Sequence, residues 1–546
     1  MTEGTVAQLV GRALAQLGVG HAFGVVGSGN FHVTNALRAG GIPFVAARHE
    51  GGAATMADAY ARMSGRPGVL TVHQGCGLTN AMTGITEAAK SRTPLIVLAA
   101  DTGGAAVRSN FRIDQHALVQ AVGAVSERVH GPGSALADTV RAYRTAVQQR
   151  RTVVLNLPLD VQAAPAPDDA CVPAVPALPK VRPGADAAAA LAALLGEAHR
   201  PVFIAGRGGR GAREELRALA AASGALLATS AVASGLFVGE PWALGISGGF
   251  ASPLAAELIS SADLVVGWGC ALNMWTTRHG SLIGPQARVV QVDLDADAIG
   301  AHRPVDLGVL GDVAATAADV RAALAPRPDP GYRTPDVGRA IAARACWRDE
   351  PYDDLTGADG IDPRTLSIAL DDLLPAERVV AVDSGNFMGY PSAYLRVPDE
   401  FGFCFTQGFQ SIGLGLATAI GAALARPDRL AVAALGDGGA LMGVAELETV
   451  VRLRLPMVVV VYDDRGYGAE VHHFVGEDDA TVRFPETDIA AIGRGFGFEA
   501  VTVRAPGDLA PVGEWVAGPR RAPLLVDAKL ASDGGSWWLA EAFRGH

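Results

Sequence analysis

Leu430-Ala431-Val432-Ala433-Ala434-Leu435-Gly436-Asp437-Gly438-Gly439-Ala440 decides how the rest of the chain is read. A short, wholly apolar run ends in Gly-Asp-Gly, and helical spacing resumes near Ala440. A run of this kind is a strand covered on both faces, as in a parallel sheet. Asp437 then sits just past the strand's carboxyl end, where open α/β sheets bind ligands. The helix that follows turns its free N–H groups to the same spot, which favours an anion. A second apolar run, Met457–Tyr462, ends in Asp463-Asp464-Arg465-Gly466, with Asp464 falling 27 residues after Asp437. Two neighbouring strand ends would present Asp437 and Asp464 together, and such hard oxygen ligands suit Mg²⁺ with phosphate. The alternative is an N-capping Asp at one strand end and a turn Asp at the other.

The same rhythm extends both ways. A series starting near Asp362 has strands at Val379–Val382, Ala431–Leu435, Met457–Tyr462 and Leu524–Asp527, with helices Gly413–Leu424 and Ala440–Leu453. An earlier series has strands at Ala22–Val26, Phe44–Ala47, Gly68–His73, Leu95–Ala99 and Val153–Leu157, with helices Val6–Leu17 and Gly51–Met63. A middle series has Val202–Ala205, Ala225–Thr229, Leu264–Trp268 and Val289–Asp293. Ala/Pro/Asp-rich residues 161–183 and Pro326–Gly331 read as linkers. The expected fold class is α/β, with three doubly wound domains of mainly parallel sheet at 1–165, 184–326 and 355–546. The first and third blocks share a plan, each with a Gly-rich strand end.

Composition narrows the function. With 49% hydrophobic and 18% charged residues among 546, the chain can bury large cores. Its net charge of −11 contains no basic block, which argues against nucleic acid or an anionic membrane as partner. Five scattered cysteines without a C-x-x-C suit a reducing compartment without structural zinc. No signal peptide or membrane-length apolar run is read, so the expected setting is cytoplasmic.

Far upstream, Val45-Ala46-Ala47-Arg48-His49-Glu50-Gly51-Gly52-Ala53-Ala54 puts a carboxylate at a strand-to-helix junction. An isolated Glu there could be a helix-dipole partner. With the Gly-Asp-Gly segment, however, the chain resembles the thiamine diphosphate-dependent enzymes of the acetolactate synthase, benzaldehyde lyase and pyruvate decarboxylase group over essentially its whole length. The resemblance implies that Asp437, Asp464 and the main-chain carbonyl of Gly466 bind Mg²⁺. Gly436, Gly438, Gly439, Tyr467 and Gly468 are carried with them to the cofactor. Glu50 would pair with N1′ of the aminopyrimidine, favouring the imino tautomer that takes the proton from thiazolium C2. Gly75-Cys76-Gly77-Leu78-Thr79-Asn80 is similar to the family turn against the pyrimidine, with Gly75 and Asn80 in contact. Ser384, Gly385 and Asn386 would meet the diphosphate. Gly408-Phe409-Gln410-Ser411-Ile412 would bring Ile412 as the wedge that bends the cofactor.

Three departures mark this chain. Asp463-Asp464 replaces the usual Asn-Asn, adding a negative charge that the dication or Arg465 would have to offset. Cys76 replaces a Pro. Phe111 stands where acetolactate synthases have Gln, so Gln115 or His116 is the candidate substitute facing substrate; both also read as surface or packing polar residues. In the middle block Gly206-Arg207-Gly208-Gly209-Arg210-Gly211 fits a dinucleotide loop, but residues 221–235 hold no Asp or Glu for a ribose, so NAD is not expected. FAD occupies this domain in acetolactate synthase relatives; an empty domain is favoured here. The implied activity is decarboxylation of a 2-oxoacid with carboligation to a carbonyl acceptor. The alternatives are simple decarboxylation or C–C cleavage in the same family, a dinucleotide-dependent oxidoreductase, or a silent homologue. Glu50 and Asp437 lie in different domains and in this family face each other across a subunit boundary, so a homodimer is the expected minimum and a tetramer is common.

Overall fold

A computed structural model describes residues 4–167, 171–532 and 534–542. It contains three six-stranded sheets in which every pairing between strands is parallel. The first holds β1 (His21–Gly24), β2 (Phe44–Ala46), β3 (Gly68–Val72), β4 (Leu95–Asp101), β5 (Val125–Arg128) and β6 (Thr152–Pro158), in the order β2-β1-β3-β4-β6-β5. The second holds β7 (Pro201–Ala205), β8 (Leu226–Thr229), β9 (Ala243–Ile246), β10 (Leu264–Trp268), β11 (Arg288–Asp293) and β12 (Leu307–Leu310), in the order β12-β11-β10-β7-β8-β9. The third holds β13 (Arg378–Val382), β14 (Phe403–Phe405), β15 (Leu430–Gly436), β16 (Met457–Asp463), β17 (Glu499–Val503) and β18 (Leu524–Lys529), in the order β14-β13-β15-β16-β18-β17. The first and third sheets therefore share one topology, as their common plan suggested, while the second is doubly wound about its first strand.

All the central strands coincide with the apolar runs seen in the sequence. The five strands that the runs did not reveal, β5, β9, β12, β14 and β17, each lie at a sheet edge. Of these, β5 and β17 keep polar or exposed positions and lack a continuous apolar signature, whereas β9, β12 and β14 are runs of only three or four residues. The single helix expected over Ala440–Leu453 is a broken one. It starts at Asp437, stops at Met442, passes through a 3₁₀ turn at Val444–Glu446 and resumes as Leu447–Arg452. Asp437 is thus the first helical residue, capped by the extended Gly436. Of the linker read over 161–183, residues 168–170 lie outside the described residues; Leu159–Ala163 is a short helix, and 171–183 have no regular structure.

One hydrophobic core joins the first and third domains. Helix Glu50–Ser64 contributes Ala53, Met56 and Tyr60, and helix Gly415–Ala425 contributes Leu416, Ala419 and Ile420. Small residues on both helices let the backbones approach closely, so the positions of the two Gly-rich strand ends are set against each other. Among the described residues no helix is long and apolar enough to cross a membrane.

Candidate cofactor half-sites

In the third domain the ends of β15 and β16 are adjacent, because Gly436 pairs with Tyr462. That register sets Asp437 beside Asp464. Burial is the main reason both carboxyls sit above the usual carboxylate range; repulsion from Asp464 and Asp463 adds to it at Asp437, whereas at Asp464 hydrogen bonds with Asn386 and Asp437 pull the other way and only Asp463 adds repulsion. Asn386 Nδ2 donates to Asp464 Oδ2 at 3.3 Å. Two carboxylates held like this are costly to ionise together without a cation, and their hard oxygens are of the type that could hold a dication such as Mg²⁺. The surrounding glycines make the cradle. A Cβ at Gly438 would lie 2.7 Å from the Tyr467 ring, and one at Gly468 only 2.0 Å from Asp464 Oδ2. A cavity of about 320 Å³ opens here, lined by Asp437, Gly438, Leu441, Met442, Asp463 and Tyr467 among others. Because its methyl would displace the Asp464 carboxylate, Gly468→Ala is expected to weaken metal-dependent cofactor binding by about tenfold or more, a loss of about 1.4 kcal/mol. Titration of cofactor at several Mg²⁺ concentrations checks this; unchanged affinity would remove Asp464 from the ligand set.

The extra charge at Asp463 is met differently from the expectation. Its charge partner in the fold is a lysine on the neighbouring strand, and Arg465 meets it through the backbone N–H. Lys529, only 2% exposed, donates from Nζ to Asp463 Oδ2 at 2.5 Å, pairs with Asp527 Oδ1 at 2.9 Å and donates to the Thr487 carbonyl at 2.7 Å. The pairing of β16 with β18 puts Asp463 and Lys529 side by side. Burial alone would lower the Lys529 pKa, but its bonds to Asp463 and Asp527 hold it above the usual value. The other Asp463 oxygen accepts the Arg465 N–H at 3.0 Å and supports the left-handed turn at Arg465, with φ 61°, that leads to Gly466.

The expected diphosphate residues follow β13. Asp383 is fully buried and accepts N–H bonds from Ser384 at 2.9 Å, Gly413 at 2.9 Å and Leu414 at 3.2 Å. Burial pushes its carboxyl up to about 6, against the pull of those N–H groups. It ties the Ser384-Gly385-Asn386 turn to the loop that carries the half-buried Ile412. Asn386 is fixed by a part of the chain that the sequence reading passed over: its Oδ1 accepts from Ser536, and its carbonyl accepts from Trp538 Nε1 at 2.9 Å.

In the first domain Glu50 opens helix Glu50–Ser64, with His49 as N-cap accepting the Gly51 N–H on Nδ1 at 3.0 Å. Asn80 Nδ2 donates to Glu50 Oε2 at 3.1 Å, so the two residues expected at the pyrimidine do meet. Gly75 has φ 63°, and a Cβ there would lie 2.3 Å from the Phe111 carbonyl, which only glycine tolerates. Its N–H donates to Gln115 Oε1 at 2.9 Å.

That bond corrects the role expected for Gln115. Its side chain is 4% exposed, and Nε2 is committed to the Ala100 carbonyl at 3.1 Å and Asn156 Oδ1 at 2.8 Å. Gln115 holds the Gly75 turn from behind and is not presented to a substrate. His116, one position on, is turned to solvent. Another ionisable group in this region is His73, at the carboxyl end of β3. Its Nε2 is 3.3 Å from Ser28 Oγ, and its ring meets Phe111 edge-on at 4.8 Å. A Cβ on Gly77 would touch both His73 Cβ, at 3.1 Å, and Glu50 Oε1, at 3.5 Å. The signal was present in the sequence, as a histidine between an apolar strand and a Gly-rich turn. In the central domain, Gly206 and Gly208 pack against the Gly269 backbone, which accounts for two glycines of the G-x-G-x-x-G pattern by close approach.

Residues 4–123, 188–320 and 383–528 match, respectively, the N-terminal TPP binding domain, the central domain and the C-terminal TPP binding domain of thiamine pyrophosphate enzymes. The chain is 30% identical to the sulfoacetaldehyde acetyltransferase of Alcaligenes xylosoxydans xylosoxydans, over 90% of this chain and 87% of that one. It is 31% identical to a Pseudomonas aeruginosa protein named "Probable 2-ketoarginine decarboxylase AruI", over 92% and 90%. It is 29% identical to the acetolactate synthase of Bacillus subtilis, over 96% and 95%. In fold it is similar to a crystal structure from Mycobacterium smegmatis described as "a putative thiamin diphosphate-dependent enzyme", with a TM-score of 0.82 at 23% identity, covering 97% of this chain and 100% of that one.

Proposed function

This chain belongs to the thiamine pyrophosphate-dependent enzymes, and from that membership we propose that it decarboxylates a 2-oxoacid and joins the remaining acyl unit to a carbonyl acceptor, with Mg²⁺ as the metal. The observation that carries the reading is the pair of half-sites: a carboxylate held by Asn80 at one strand end, and two mutually repelling carboxylates in a glycine cradle at another. Thiamine diphosphate, when bound, supplies the electron sink that lets a 2-oxoacid lose CO₂. Asp437, Asp464 and the Gly466 carbonyl would hold the dication, whose charge would offset that of the diphosphate. Glu50 exchanges a proton with the pyrimidine nitrogen N1′. His73, paired with Ser28, is the acid–base candidate on the substrate side. Loss of CO₂ and addition to an aldehyde or ketone together yield a 2-hydroxyketone, with one proton taken up by the new alkoxide.

Glu50 is not among the residues that line the cavity at Asp437. Exposed apolar side chains gather at the strand ends of both domains: Val26, Phe31, Phe111 and Ile113 in the first, and Leu441, Met442, Phe474 and Phe484 in the third. A second copy that sets one face on the other would cover both and complete the site. The reading therefore includes a homodimer at least.

The test is product analysis. The chain, thiamine diphosphate and Mg²⁺ are mixed with a panel of 2-oxoacids, alone and with an aldehyde acceptor, and CO₂ and organic products are identified. Ketol products are expected with the acceptor present. An aldehyde as the sole product would instead support simple decarboxylation, the second reading, which the similarity to AruI favours. No cofactor binding and no turnover with any donor would sink both.

A further inference from the structure

Two buried glutamates cross between the first and third domains of one chain, and each holds the backbone of the other domain's half-site. Glu446 lies in the third domain, at the 3₁₀ turn after helix Asp437–Met442. Its Oε1 accepts the N–H of Arg48 at 3.0 Å and of His49 at 3.1 Å, the two residues that lead into Glu50. Its Oε2 accepts Thr449 Oγ1 at 2.6 Å, so both oxygens are engaged. Glu87 lies in the first domain, on helix Cys76–Lys90, which begins at the Gly75 turn. Its Oε1 accepts the Gly408 N–H at 2.9 Å and its Oε2 the Phe409 N–H at 2.6 Å, just ahead of Ile412. Arg62 Nη2 pairs with Glu87 at 2.8 Å and with Asp58 at 2.6 Å, which keeps this carboxylate charged in the core. Burial works against that charge, but Arg62 and the two N–H donors outweigh it and lower the Glu87 pKa.

A carboxylate that takes two successive backbone N–H groups fixes both the position and the direction of that segment. The clamps are reciprocal: Glu87 sits on the helix that follows the Gly-rich strand end of its own domain, Glu446 on the 3₁₀ turn just beyond the corresponding helix, and each grips the reactive segment of the other domain. We propose that Glu446 and Glu87 are positioning residues, Glu446 for the Glu50 carboxylate and Glu87 for the Ile412 loop. The clamps reach substrate chemistry only through the thiamine diphosphate reading above. In a dimer, the two segments of one chain serve different composite sites. Each clamp would then make one site's geometry depend on the domain that builds the other.

The experiment uses the full chain with thiamine diphosphate and Mg²⁺, and has two arms. Amide hydrogen exchange followed by mass spectrometry should show faster exchange at Arg48 and His49 in Glu446→Ala, and at Gly408 and Phe409 in Glu87→Ala, with the remaining sheets unchanged. Exchange of the C2 hydrogen of the bound cofactor, followed by NMR, should slow by about 10²-fold in Glu446→Ala, the penalty for misplacing a reacting group by about 1 Å. Glu446→Gln, whose carbonyl oxygen can accept the same two N–H groups, should restore most of the rate. If Glu446→Ala does not fold, Glu446→Asp, a shorter carboxylate, replaces it with the same expectation. Unchanged amide exchange, unchanged C2 exchange, or a Gln variant as impaired as the Ala variant would overturn the proposal. Absence of cofactor binding by the wild-type chain would defeat the functional reading instead, while the amide arm would still judge the clamps.

Discussion

Glu50→Gln will lose about 10²–10⁴-fold in turnover, the range for removing a positioned acid–base group, while the fold and diphosphate binding remain. The amide matches the carboxylate in volume, and its oxygen can still accept from Asn80, which donates to Glu50 at 3.1 Å. What it cannot do is exchange a proton with N1′ of the pyrimidine. The loss should therefore appear in steady-state turnover and in exchange of the cofactor C2 hydrogen, and not in the affinity set by Asp437 and Asp464. A variant that keeps more than about a tenth of wild-type turnover would remove Glu50 from the proton path. If both turnover and cofactor affinity collapsed, its role would be to hold the ligand and not to move the proton.

Lys529→Met should be the most destabilising single change near the site, by about 3–5 kcal/mol, because it strands two buried carboxylates without a cation. Asp463 and Asp527 would keep only their N–H donors, from Arg465 at 3.0 Å and from Ile489 and Ala490 at 3.1 and 3.2 Å. Restoring charge balance with Asp463→Asn in the same chain should recover part of the loss, with a coupling energy of about 0.5–3 kcal/mol in a double-mutant cycle. Chemical denaturation of the wild type, both single variants and the double variant measures it; additive losses would refute the charge-pair account. Lys529 is held above its ordinary value of 10.5, so its contribution is fully present below that pH and is lost only as pH climbs through the folded-state value. The coupling should therefore be constant across neutral pH and fade only in the alkaline range. The pair also gives a physical reason why this chain can carry Asp463 where its family carries Asn: a lysine on the neighbouring strand balances the charge before any metal arrives.

Features with a local cause could be read from the chain itself. Strands covered on both faces announce themselves as apolar runs, which is why β3, β4, β6, β7, β10, β13, β15, β16 and β18 were legible. Strand ends followed by Gly-Asp-Gly or Glu-Gly-Gly were legible for the same reason, since the residues that make the turn are adjacent in sequence. Of the edge strands only β2 was, because the others are short or keep polar positions where one flank is open. The polar side chains divide in the same way. Asn80 fell beside Glu50 as its motif implies, whereas Gln115 and His73 could be told apart only by direction: one points into the sheet and spends its amide there, the other stands at the strand end with its ring against Ser28 and Phe111.

By itself the sequence determined the fold class and the two segments that carry Glu50 and Asp437, because each is written in contiguous residues whose periodicity and turn chemistry are local, while the cofactor came from resemblance to a known family. Only the tertiary structure decided which charges are balanced and which polar groups are free. Lys529 reaches Asp463, Glu446 reaches Arg48 and His49, and Glu87 reaches Gly408 and Phe409 across 66, 398, 397, 321 and 322 positions of chain. A buried ion pair or clamp of this kind depends on sheet order and domain packing, and those are settled when distant surfaces are buried together, not by any residue's neighbours in sequence.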